Sequence, residues 1–275
     1  MSTRISPPAG WRFAADRGGT FTDVLGIGPD GALHAEKLPS RSPAYADAVA
    51  EGMRRVLARA GDGRAAGRVV ELRVGTTVAT NALLERRGAR VALAVTAGFE
   101  DLLAIGHQAR PELFALDIVR PQPLYGAVAG VAERLDAAGR VVTPLDAGST
   151  LARLRALRRA GHDALAVVLL HAWANPAHER AVADLARRAG FAHVTLSHAV
   201  SGRIRVVERG QAAVVDAALT PVLRAYLDAL GAALDGLPGP VPVQVMQSDG
   251  ALIPAARASG RAAVLSGPAG GAMAV

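Results

Sequence analysis

The chain has 275 residues, 51% of them hydrophobic, so it can bury a sizeable core and lies well outside the composition of disordered chains. It contains no cysteine, which removes disulfides, thiolate nucleophiles and cysteine metal sites. A net charge of +7 does not by itself announce a nucleic acid: Lys37 is the single lysine, the arginines are scattered along helical faces, and aromatic residues make up only 4%.

The stretch Asp16-Arg17-Gly18-Gly19-Thr20-Phe21-Thr22-Asp23-Val24 is the most informative part of the chain. Strand patterns, Trp11 to Ala15 and Val24 to Ile27, flank it, which predicts a tight hairpin whose glycines supply φ > 0. The turn carries hydroxyls at Thr20 and Thr22 and carboxylates at Asp16 and Asp23. Bare backbone N–H groups, threonine donors and a carboxylate suit a nucleoside triphosphate with Mg²⁺. An ordinary glycine-rich hairpin with outward hydroxyls is the other reading, and Asp23 as a simple hairpin end stays open beside it.

Leu33 to Leu38 continues the β pattern, and Pro43 is expected to open a helix whose apolar positions run from Ala46 to Leu57. A strand, Val69 to Val74, ends at Gly75-Thr76-Thr77. A helix follows from Val78 to Arg87, stopped by Gly88. The strand-to-helix junction is either an anion site or plain capping by Thr76 or Thr77. Asn81 lies one turn further on. After a strand, Arg90 to Thr96, residues 106–123 form a long irregular passage with His107, Gln108 and Arg110.

Helix and strand then alternate: a helix from Ala147, a buried strand Ala164 to Leu170, a helix from Pro176 stopped by Gly190, and a strand His193 to Leu196. This order predicts an α/β unit with parallel strands. His162, His171, His178, His193 and His198 show no metal-ligand spacing and read as surface or half-buried side chains. Val206 to Leu234 is a long helical stretch with a break or kink expected at Pro221. Val241 to Met246 is a strand feeding the turn Gln247-Ser248-Asp249-Gly250, where Asp249 is a candidate base or metal carboxylate, or simply a turn-former. Ala262 to Leu265 is read as a strand entering Ser266-Gly267-Pro268-Ala269-Gly270-Gly271, a second backbone anion site or a close-packed turn. The start of the chain lacks the apolar core of a signal peptide, and no apolar run approaches membrane-spanning length. A cytoplasmic protein without a membrane or nucleic-acid partner is expected.

With these residues assembled, the chain resembles the hydantoinase A/5-oxoprolinase family. The carrying motifs are DRGGTFTDV (Asp16 to Val24), VGTTVATNALLERRG (Val74 to Gly88), VTAGFEDLLAIGHQARPELFALDI (Val95 to Ile118) and VLSGPAGG (Val264 to Gly271). Arg17, RIRVVERG (Arg203 to Gly210) and Ser248 to Gly250 are more similar to 5-oxoprolinase than to hydantoinase. The resemblance implies an α/β, ribonuclease H-like fold, similar to actin, Hsp70 and sugar-kinase ATPases, with an incomplete second lobe. It divides the chain at 11–205, an N-terminal domain with the first phosphate loop, and 206–275, the start of a catalytic domain.

It also implies ATP and Mg²⁺ as cofactors and ATP-dependent opening of 5-oxo-L-proline to L-glutamate. Asp16 would hold the hydrated metal and, with Asp249, act catalytically. Arg17, Gly18, Gly19, Thr20, Thr22, Gly267, Gly270 and Gly271 would bind the nucleotide. Thr76, Thr77, Asn81 and Arg110 would bind the substrate. Family members are longer, and a second phosphate loop normally follows the SGPAGG string, so an N-terminal portion without turnover of its own is expected. The implied partners are a small-molecule substrate (5-oxoproline or a related cyclic amide), the remainder of the hydantoinase A chain, a hydantoinase B-type subunit or domain, and further copies in a homo-oligomer. A hydantoinase A-type subunit acting on another cyclic amide, or a non-catalytic nucleotide-binding remnant, are the alternatives.

Overall fold

A computed structural model describes residues 10–61, 67–108, 112, 114–118 and 121–266. Two compact units emerge, one of residues 1–87 with 222–275 and the other of residues 88–221. This division follows compactness and is a separate matter from the family boundary expected at 205/206.

The first unit opens with β1 (Trp11–Arg17), β2 (Phe21–Ile27) and β3 (Leu33–Pro39), followed by α1 (Ala48–Arg59), β4 (Val69–Thr76) and α2 (Val78–Leu84). β1 pairs antiparallel with β2 and parallel with β4, as the motif order requires. Alternation along β1 buries Trp11, Phe13 and Ala15 on one face, and β2 adds Val24. The apolar side of α1, with Val49, Ala50, Met53 and Val56, covers that face. Pro43 does not open α1. Asp47 does, accepting hydrogen bonds from the N–H groups of Val49 (2.8 Å) and Ala50 (3.2 Å).

Helix α2 also ends earlier than expected, at Leu84 rather than Arg87 before Gly88. Arg86 takes φ 53°, and the N–H groups of Arg87 and Arg86 return to Ala82 (2.8 Å) and Leu83 (3.2 Å). A Schellman closure thus forms with arginine where glycine is usual.

The second unit carries β5 (Val91–Thr96), α3 (Leu102–Ile105), β6 (Tyr125–Val131), β7 (Arg134–Leu135), β8 (Val141–Thr143), α4 (Ala147–Arg159), β9 (Ala164–Val168), α5 (Ala177–Arg188), β10 (His193–Leu196) and α6 (Ser197–Val200). Its main sheet has the order β10-β9-β5-β6 and is parallel throughout, as the helix–strand alternation predicts. The sequence reading missed β6, whose Gly- and Ala-rich pattern YGAVAGV carries little β signal of its own. Leu165, Val167, Leu154, Val182, Leu185 and Phe191 lead the core.

Two buried polar networks pin the C-terminal ends of these strands. Thr96 donates to Glu133 (2.5 Å), and the other Glu133 oxygen pairs with His178 Nδ1 at 2.7 Å. Glu179, fully buried, accepts from the Leu169 N–H (3.0 Å), the Ser197 hydroxyl (2.5 Å) and the His198 N–H (3.1 Å), and pairs with His198 Nδ1 at 2.6 Å. Arg209, also fully buried, donates to Ser197 Oγ (2.9 Å) and to the carbonyls of Arg203 (2.9 Å), Ile204 (3.3 Å) and Leu169 (2.9 Å). Burial pulls its guanidinium below the usual value, and the Glu179 charge opposes this. Of the histidines read as surface or half-buried, His198 is half-buried as expected and His178 is buried, and each is paired with a buried carboxylate.

Helix α7 (Val206–Ala233) runs on through Pro221, so of the break or kink expected there the helix shows no break. Its residues 206–221 belong to the second unit and 222–233 to the first. The first unit is completed by β11 (Val243–Met246), parallel to β4, and β12 (Leu252–Pro254), antiparallel to β11, giving the order β12-β11-β4-β1-β2-β3. Ala262 to Leu265, expected as a strand, is a run of turns. Local bonds consume its backbone: Ala263 N–H to Ser259 O (3.2 Å) and Ser266 N–H to Ala263 O (3.2 Å), while Ser248 Oγ donates to Ala262 O (2.7 Å) and accepts from Leu265 N–H (2.9 Å).

The Glu179–Ser197–Arg209 network joins α5, α6 and α7 within the second unit, so breaking it should be costly. Arg209→Met leaves Glu179 buried without its compensating charge, removes the side-chain donor to the Arg203 and Ile204 carbonyls, and leaves the Leu169 carbonyl with only the Ala172 N–H. A loss of about 3–5 kcal/mol in urea unfolding is expected; a loss under about 1 kcal/mol would show the network to be dispensable.

Candidate functional site

The turn between β1 and β2 is built from both of its faces. Gly18 returns its N–H to Phe21 O at 3.0 Å. Neither Gly18 nor Gly19 has a positive φ, so the expected reason for glycine here is wrong. Space is the reason instead: a Cβ on Gly18 would lie 2.9 Å from the Phe21 carbonyl oxygen, and one on Gly19 would lie 3.3 Å from Asn81 Nδ2. The N–H groups of Gly19 and Thr20, at the tip, have no partner among the described residues. The Thr20 side chain is exposed there.

Under the turn, Thr22 is fully buried and shares a 2.9 Å hydroxyl–hydroxyl bond with Ser40. Ser40 donates onward to Gly18 O (2.8 Å), and its N–H bonds to Thr20 O (2.8 Å). Thr22 thus shapes the turn from within, through a serine that the sequence reading did not single out. Arg17 lies on this inner side as well, its guanidinium carbon 4.6 Å from the centre of the Tyr226 ring.

Asp16 sits on the opposite face of β1, directly across from Asp23. Lys37 bonds both Asp23 oxygens, at 3.0 and 3.1 Å, whereas Asp16 has no ion pair among the described residues. Partial desolvation of this outward-facing side chain, then the charge of Asp23, pushes the Asp16 carboxyl above its ordinary range. On the β4 side, Asp16 is in register with Gly75. A Cβ on Gly75 would stand 3.7 Å from Asp16 Oδ1, 3.8 Å from Ala15 O and 3.9 Å from Ser266 O, ordinary contact distances, so this position packs close to the carboxylate without demanding glycine.

Three distant segments therefore meet within the first unit: the turn, the β4–α2 junction and residues 248–266. Thr77 donates to Arg17 O from its N–H (3.1 Å) and its hydroxyl (3.3 Å), and Asn81 Nδ2 reaches Thr77 Oγ1 at 3.3 Å. Thr76 is buried; its hydroxyl accepts from the Val78 N–H (3.2 Å) just ahead of α2, whose N-cap, Thr77, makes no side-chain cap bond, and its carbonyl accepts from Ser266 Oγ (2.8 Å). Thr80 Oγ1 donates to Val264 O. Asp249 is exposed and accepts from Ala251 N–H at 3.0 Å, the bond of a turn-former. Arg110, Gly267, Gly270 and Gly271 lie outside the described residues.

The comparisons with known proteins bear on this site. Residues 12–190 match the hydantoinase/oxoprolinase N-terminal region, and residues 209–275 match hydantoinase/oxoprolinase. The chain belongs to the hydantoinase/oxoprolinase family. It is 46% identical to 5-oxoprolinase 1 of Arabidopsis thaliana, across 94% of this chain and 23% of that protein. Among solved structures, it is similar to the ATP-dependent caprolactamase of Pseudomonas jessenii (TM-score 0.76, 30% identity, 94% of this chain and 39% of that one). The nucleotide-free acetone carboxylase shares the fold (TM-score 0.81, 23% identity, 96% of this chain and 40% of that one). The mixed α/β architecture is thus that of this family, and the chain spans about a quarter of the length of the curated 5-oxoprolinases it matches. Among the described residues, no helix is long and apolar enough to cross a membrane. No group of three or more His, Cys, Asp or Glu side chains among them is arranged to hold a metal ion.

The raised Asp16 carboxyl fixes a sign. A folded-state pKa above the unfolded value means that ionised Asp16 opposes folding, a penalty absent in acid and complete once pH has risen through the folded value. Asp16→Asn should therefore raise the melting temperature at pH 7, and the gain should shrink as pH falls toward 4. An equal gain at both pH values, or a loss at pH 7, would show that the carboxylate is not strained.

Proposed function

We propose that the chain is the N-terminal part of an ATP-dependent cyclic amide hydrolase of the 5-oxoprolinase type, opening 5-oxo-L-proline to L-glutamate. The observation that carries this reading is the hairpin tip. Two N–H groups without a partner among the described residues, at Gly19 and Thr20, lie in the same turn as the Asp16 carboxylate, which has no ion pair among those residues. Backbone N–H groups of this kind take phosphate oxygens without needing a charged side chain. A single carboxylate is a suitable holder for hydrated Mg²⁺, which keeps several of its waters and borrows further oxygens from phosphate. The family membership and the identity to 5-oxoprolinase 1 support the substrate class.

A five-membered lactam resists water because amide resonance leaves its carbonyl carbon a poor electrophile. Transfer of a γ-phosphoryl group to the amide oxygen weakens the ring C–N bond and lets water open it, releasing glutamate, ADP and phosphate. Bound Mg²⁺ supplies charge neutralisation on the phosphate oxygens. The chain's own contribution is positional. Gly18, Gly19 and Thr20 present the turn backbone, Thr22 and Ser40 hold it from below, and Asp16 provides the negative charge for the cation. Thr76 and Thr77 at the β4–α2 junction, the second also anchoring the turn through Arg17 O, and Asn81, beside Gly19, are the substrate-side candidates. Arg110 and Gly267 to Gly271 complete the proposed site. In this reading 11–205 and 206–275 are the two family domains, and the active assembly adds the rest of the hydantoinase A chain and a B-type subunit or domain in a cytoplasmic homo-oligomer.

The similarity to caprolactamase favours a second reading, in which the cyclic amide is a different lactam. A substrate panel with the full-length protein separates the two: hydrolysis of a larger lactam but not of 5-oxoproline would move the reading to that substrate. In the same protein, Asp16→Ala should lower Mg·ATP-dependent turnover by about 10²-fold or more while leaving the fold intact. Turnover within about threefold of wild type would remove Asp16 from the mechanism.

A further inference from the structure

We infer that Tyr226 and Asp47 are positioning residues for the phosphate turn, acting through Arg17. The inference rests on the reading of the turn as the nucleotide site. Strand alternation puts Arg17 on the face of β1 opposite Asp16, so its guanidinium turns away from the open side of the turn. There it stacks 4.6 Å from the Tyr226 ring centre, and its Nε stands 3.9 Å from Asp47 Oδ2. Asp47 is itself fixed, because its other oxygen caps α1 at Val49 and Ala50.

The three side chains sense one another. Burial raises the Tyr226 phenol well above its ordinary range, the Asp47 charge raises it further, and the Arg17 charge opposes both. Arg17 Nε and the Tyr226 hydroxyl are both buried and have no hydrogen-bond partner among the described residues. A guanidinium so enclosed, on an aromatic face and beside a carboxylate, is held by cation–π attraction and charge rather than by a hydrogen bond.

The consequence falls on the backbone. Arg17 is the last side chain before Gly18 and Gly19, which have none with which to hold their own conformation. Its carbonyl takes both hydrogen bonds from Thr77. Fixing the Arg17 side chain on one side and its carbonyl on the other orients the plane from which the two glycines depart. The free N–H groups of Gly19 and Thr20 then meet phosphate without first paying for ordering. Arg17 thereby supports the turn from behind instead of touching the nucleotide.

The test uses Mg·ATP-dependent turnover of the full-length protein. Arg17→Gln and Tyr226→Leu should each raise the KM for Mg·ATP about tenfold, the scale of one desolvated cation–π contact, with kcat changed less than threefold or so. The double variant should be no worse than either single one, because both remove the same contact. Tyr226→Phe keeps the ring and should behave as wild type. Asp47→Asn, which preserves the cap of α1, should move KM in the same direction and serves if Tyr226→Leu does not fold. A raised KM in Arg17→Gln with wild-type values in Tyr226→Leu and Asp47→Asn would overturn the inference, since Arg17 would then act on the ligand directly; additive effects in the double variant would do the same. Asp16→Ala distinguishes the levels: if it stays active, the nucleotide reading fails, whereas an inactive Asp16→Ala beside silent Tyr226 and Asp47 variants sinks the positioning role alone.

Discussion

The parallel pairing of β1 with β4 is the constraint on which the candidate site depends. It sets Asp16 beside Gly75 and Arg17 beside Thr76, so that a turn near one end of the sequence and a strand-to-helix junction some sixty residues later share one edge. Strand alternation does the rest. One face of β1 turns Asp16 outward and the other turns Arg17 inward, which separates a charge available to a cation from a charge committed to the scaffold.

The same register explains why the polar groups of the site carry unequal burdens. Asp23 stands across from Asp16 and would repel it, yet Lys37 on β3 takes up its charge. Asp16 keeps the residual strain, a cost expected of a group retained for function rather than stability. Thr22, one residue away on the other face, contributes to the turn only through Ser40.

Much of this was legible in the sequence because its signals are local. Glycines between two alternating apolar runs fix a hairpin, and helix–strand alternation after Thr143 fixes a parallel sheet. The motifs also named the turn, the Gly75-Thr76-Thr77 junction and Asn81, and the structure brings these together. What the sequence did not show is long-range or lies in weakly patterned segments. Ser40, Asp47 and Tyr226 reach the turn from β3, α1 and α7, and nothing in their own neighbourhoods marks them. Glu133, Glu179 and Arg209 find buried partners only once the strand ends converge. Helix ends were misplaced where a side chain replaced the expected punctuation: Asp47 caps α1 in place of Pro43, and Arg86 closes α2 in place of Gly88.

The central claim is that the hairpin tip is where phosphate binds, and amide hydrogen exchange on the full-length protein with and without Mg·ATP tests it most directly. The free N–H groups of Gly19 and Thr20 should exchange rapidly alone and become protected with nucleotide, together with the peptide spanning residues 16–23. Protection elsewhere with no change across residues 16–23 would contradict the account.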